Sequence, residues 1–93
     1  MQEIRDKINN LSDDVFKKLN LIKNKFETCD NSVQNDLNEI SNNLTEQSLY
    51  LKTLEDISND EYSNNKNAIN QILKNISLMI KDIDIYLKQK NIN

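Results

Sequence analysis

The chain contains neither glycine nor proline in its 93 residues. That absence constrains the fold more than any motif does. Tight hairpin turns want glycine where φ is positive, and bulges and strand edges draw on glycine and proline. Helix interiors use neither residue, and Asn, Asp and Ser can cap helices and connect them. The expectation is an all-α protein.

The apolar pattern agrees. Ile4, Ile8, Leu11, Val15, Leu19, Ile22, Phe26 and Cys29 recur at spacings of three and four, the signature of one helix face turned toward a core. The stripe continues almost in phase through Val33, Leu37, Ile40, Leu44, Leu51 and Leu54. Rows such as Ile4, Val15, Phe26 and Leu37 lie eleven apart, which suits a straight helix path. The last third is the most apolar, with Ile69, Ile72, Leu73, Ile76, Met79, Ile80, Ile83, Tyr86 and Leu87 on one wide face. A face that wide usually touches two neighbours. A second row, Leu78, Ile85 and Ile92, repeats every seven residues on another side. It is the candidate surface for docking a partner.

Two stretches can interrupt the helix. In "TCDNSVQ", residues 28–34, Asn31 followed by Gln34 resembles a capping box. In "ISNDEYSNNKNAI", residues 57–69, Ser58 followed by Glu61 is a cleaner one. Breaks there predict helices over 2–28, 32–57 and 64–91, with the main turn at 58–66, in one domain spanning 1–93. The expected architecture is an antiparallel bundle of three helices. The in-phase stripe through residue 30 keeps two alternatives open: a long-helix hairpin, 2–57 against 64–91, and an oligomeric coiled coil.

Charge divides the chain at the same places. The net charge is −3, but residues 30–61 carry −7, between flanks that are neutral to basic. This suggests segments folded against one another. It argues against nucleic acid, which would want a basic face.

Little here points to catalysis. With no His and one Cys, transition-metal sites and Cys-His or Ser-His nucleophile pairs have no residues to use. Cys29 sits on the apolar stripe and reads as a small buried hydrophobe. The acidic pairs Asp13/Asp14 and Asp82/Asp84 do not share a helix face. Asp56, Ser58 and Asp60 begin like a calcium loop, but Glu61 stands where glycine is needed and Asn67 where the bidentate Glu belongs. Sequons at Asn10, Asn43 and Asn75 are about what chance yields in so Asn-rich a chain. No run approaches the roughly 20 apolar residues of a membrane span, and no signal-peptide core is visible.

Two families offer comparison. Gln47 on a seam of Val33, Leu37, Ile40, Leu44, Leu51 and Leu54 resembles the first half of a SNARE motif, which implies a coiled-coil tether. The second half departs from it, because Ser58, Glu61 and Asn65 fall where apolar layers belong. In length and helical class the chain is similar to the hairpin partners of type VII secretion, without their Trp-x-Gly turn.

The reading is a non-enzymatic protein-interaction module: a small subunit, adaptor or scaffold that acts by helix packing. It expects a protein partner, helical or a second copy, with no cofactor and no metal. The residues assigned to docking are Leu78, Ile85 and Ile92. The alternatives are a small acidic inhibitor or effector of a larger protein, and a SNARE-like or coiled-coil tether. The expected location is cytoplasmic, or exported without a cleaved signal peptide.

Overall fold

The structure, a computed structural model, describes residues 2–92. Helix α1 spans Gln2–Lys25 and runs into a single 3-10 turn over Phe26–Thr28. Helix α2 spans Asn31–Glu55, the short α3 spans Asn59–Asn64, and α4 spans Lys66–Gln89. No strand occurs among the described residues.

Three long-range contacts fix the directions. Arg5, early in α1, donates to the carbonyl of Glu55, the last residue of α2, and to that of Ile57 just beyond it. Tyr86, late in α4, bonds Asp36, early in α2. Lys18, in the second half of α1, pairs with Asp84 in the second half of α4 at 2.9 Å. So α1 and α4 run parallel and α2 runs against both, which is an up-down-up bundle. Helices of 24 and 25 residues are about 36 Å long at 1.5 Å per residue. Side by side they give a body 48 × 18 × 18 Å.

The core is a narrow column along that body. It takes Ile4, Ile8, Leu11, Val15 and Ile22 from α1, and Leu37, Leu44, Leu51 and Leu54 from α2. From α4 come Ile69, Leu73, Ile76, Ile80, Ile83 and Leu87, and residues outside the helices add Ile57, between α2 and α3, and Ile92, after α4. No polar or charged residue is buried among the described residues. Packing of these faces, rather than helix propensity in a chain so rich in Asn, is what holds the helices.

The break between α1 and α2 falls at Cys29 and Asp30, despite the continuous apolar phase. Local chemistry explains it. The Thr28 hydroxyl and the Cys29 thiol both donate to the Lys25 carbonyl, closing the end of α1. Asp30, not Asn31, is the N-cap of α2, and its carboxylate accepts from the Val33 N–H at 2.9 Å. Gln34 does not close a capping box; its amide donates to the Phe26 carbonyl across the turn. Phe26, Cys29 and Val33 are therefore half-buried at one end of the column rather than inside a continuous helix. The expected turn region 58–66 holds α3. Ser58 caps it, accepting from the Glu61 N–H at 3.1 Å.

Candidate functional site on the outer face of the last helix

Helix α4 uses its wide apolar face twice. Its centre fills the core, and its edge residues Ile72 and Met79 line a small groove against Gln47 of α2. Leu78 and Ile85 lie on neither surface. They remain 49% and 55% exposed, on the side of α4 turned away from the bundle. One heptad separates them, about 10.5 Å along the axis.

Ile92, the third member of the sequence-derived row, is a correction. It is 3% exposed and belongs to the core. The heptad argument assumes that the helix continues to 92, and it does not. Asn91 takes φ 58°, in the left-handed region. The Ile92 N–H then bonds back to the Leu87 carbonyl at 2.8 Å, and the Asn91 N–H to the Lys88 carbonyl at 3.1 Å. This paired pattern is the Schellman motif, in which the residue after the left-handed one packs back on the last turn. Glycine usually takes the left-handed position, and Asn is its usual substitute. In a chain without glycine, "KNI" at 90–92 was the available signal.

The edges of the exposed pair are unequal. Lys74, Lys81 and Lys88 are all exposed and stand seven residues apart. With Leu78 and Ile85 they follow a four-three-four-three spacing along one face, the geometry of a coiled-coil seam. The opposite edge holds Asn75, Asp82 and Gln89, also exposed. The site is thus an apolar pair bordered by a basic row. The periodicity of the lysines was legible in the sequence; the reading of Leu78, Ile85 and Ile92 passed over it.

The acidic character of α2 is not consumed inside the bundle. Among the described residues, no carboxylate of α2 enters an ion pair. Asp36 instead accepts the Tyr86 hydroxyl at 2.8 Å. Partial burial, and then that bond and the Asp36 charge, push the Tyr86 phenol up to about 12. Glu39, Asn42, Glu46, Leu49 and Thr53 are all exposed and follow three-four-three-four spacing on the outer side of α2. Leu49, at 63%, is among the most exposed large apolar side chains, with Phe16 of α1 at 65%.

Other sequence candidates are placed differently. Asp13 and Asp14 are exposed on α1, and Asp84 is held by Lys18 while Asp82 faces solvent. Asp56 ends α2 and Ser58 begins α3. Among the described residues, no group of three His, Cys, Asp or Glu side chains could hold a metal ion. Gln47 is half-buried beside α4 of its own bundle, so the seam that resembles a SNARE layer is used internally. An open groove of about 470 Å³ lies between α1 and α2, lined by Leu19, Ile22, Lys23, Phe26, Asn38 and Ser41 among others. Among the described residues, no helix is long and apolar enough to cross a membrane.

The chain matches no family model, no curated protein and no solved structure.

Proposed function

We propose that this protein is a non-enzymatic helical interaction module that binds a protein partner through the outer face of α4. The observation that carries this reading is the exposure of Leu78 and Ile85, one heptad apart, on a helix whose other face already completes the core. Leu78 and Ile85 are already about half covered, so burying the remainder against a partner helix gains roughly 0.8–1.5 kcal/mol for each side chain, about half the value of a full burial. The lysine row beside it favours a partner with negative charge on the matching edge, which sets orientation and encounter rate more than affinity. The bundle supplies a rigid support, because its core is complete without these two residues.

The test is site-specific photocrosslinking in the native host, with the crosslinker at position 78 and a control at Ser63 on exposed α3. A discrete adduct is expected from position 78 and not from 63. Ile85→Asp should reduce it at least tenfold and shift the melting temperature by no more than about 3 °C, as a surface substitution does. The reading fails if position 78 crosslinks no better than position 63. It fails equally if Ile85→Asp unfolds the chain.

A further inference from the structure

We infer that the outer face of α4 docks on the outer face of α2 in a second copy of this chain. The inference rests on the docking reading above and names the occupant. Both halves of the contact are present in one molecule. On α4, Lys74, Lys81 and Lys88 flank Leu78 and Ile85. On α2, Glu39 and Glu46 stand seven residues apart beside Leu49, the same repeat with the opposite charge. Neither face has a partner inside the bundle: the lysines and glutamates are exposed, and no α2 carboxylate is in an ion pair among the described residues.

A contact of α4 with α4 would set lysine rows against each other, and one of α2 with α2 would oppose the glutamates. Like charges so placed are destabilising. The favoured contact is therefore between unlike faces. After one such contact the pair as a whole still offers one free α4 face, on one copy, and one free α2 face, on the other. Such a head-to-tail contact extends into chains, or closes into a ring where the rotation permits. Two heptads of contact with three apolar side chains fall short of the roughly 1,200 Å² of a stable interface. The association is accordingly weak, with a dissociation constant on the order of 0.1–1 mM, and it depends on salt because the charges are exposed.

Sedimentation velocity of the full chain, from about 20 μM to about 1 mM, tests the inference. In about 20 mM salt the weight-average mass should rise above the 10.9 kDa monomer and pass the dimer. About 0.5 M salt should weaken the association at least fivefold. Lys81→Glu and Glu46→Lys should each stay monomeric while keeping the wild-type melting temperature, and an equimolar mixture of the two should recover association. Loss of association in both single variants together with recovery in their mixture is given only by a contact between unlike faces. A monomer at every concentration overturns the inference, as does a mass that stops at the dimer with no recovery in the mixture. A monomer that still crosslinks to a different protein from position 78 overturns self-association and leaves the docking role standing. A monomer with no such adduct removes both.

Discussion

Helix α4 carries two leucines five residues apart that should answer the same substitution in opposite ways. Leu73 is 0% exposed and Leu78 is 49% exposed. Leu73→Ala removes three carbons from the core column, about 2.4 kcal/mol at 0.8 kcal/mol per buried methylene. The space left behind adds roughly 24 cal/mol per Å³ that the neighbours fail to fill. A residual void of about 50 Å³ contributes about 1.2 kcal/mol by that coefficient, so the expected loss is about 3–4 kcal/mol. Relaxation is restricted, because the column is narrow and all three long helices line it. For a domain of this size each kcal/mol lowers the melting temperature by about 4–8 °C, so the midpoint should drop by at least about 12 °C. Leu78→Ala removes a side chain already half in water and substitutes a better helix former; its cost should stay below about 1 kcal/mol. Urea unfolding followed by circular dichroism at 222 nm measures both, with matching slopes checking that the unfolded states are comparable. Equal losses, or a loss above about 2 kcal/mol at Leu78, would mean that α4 has been assigned the wrong outer face.

Other parts of the structure make separate predictions. Arg5 forks onto two carbonyls at 2.8 and 3.0 Å, where the end of a helix dipole also favours a cation; because the site is only partly buried, Arg5→Lys should cost about 1 kcal/mol and Arg5→Ala about 2 kcal/mol in thermal unfolding. Asn91→Ala should cost about 1 kcal/mol, because alanine strains in the left-handed conformation, whereas Asn91→Gly should be neutral or stabilising. Ser58→Ala should lose about 0.5–2 kcal/mol with the cap of α3, read as faster amide exchange at Glu61. The Tyr86 phenol is raised above the ordinary value of 10 to about 12 in the folded protein, so the unfolded chain loses its proton first. The Tyr86 contribution to stability is complete below pH 10 and disappears as pH rises through 12. Phenolate absorbance should show a component near 12 that moves down in Asp36→Asn.

The helical class was legible because it rests on composition and a three-to-four spacing, both local properties. The core faces followed from the same spacing, since Ile8, Val15, Leu37, Leu44 and Leu73 lie where the period puts them. The break at Cys29 and Asp30 was harder to see. Hydrophobic phase is a long-range average, whereas a helix ends through hydrogen bonds at single residues, here Thr28, Cys29 and Asp30. Ile92 failed for the same reason in reverse: a heptad row was extended past a helix end set by the backbone of Asn91. Arg5 gave no periodic signal at all, because its acceptors are backbone carbonyls fifty residues away. At the candidate site the exposed pair Leu78 and Ile85 was visible as a second row. The acidic surplus of α2 was visible too, but not that it remains on the outside.

The order of the helices has a consequence for biosynthesis. The α1–α2 hairpin is made of contacts local in sequence, and such helical pairs form within microseconds to milliseconds. Synthesis must then add residues 56–89 before α4 can cover the column, which takes roughly 2–7 s at 5–20 residues per second. For that interval the nascent chain displays Leu37, Leu44 and Leu51 as an open trough shaped for one more helix. Ribosomes translating the same message hold several such troughs close together, each able to accept the α4 of a neighbouring chain. Exchange of α4 between nascent chains is therefore the misassembly to which this topology is most exposed.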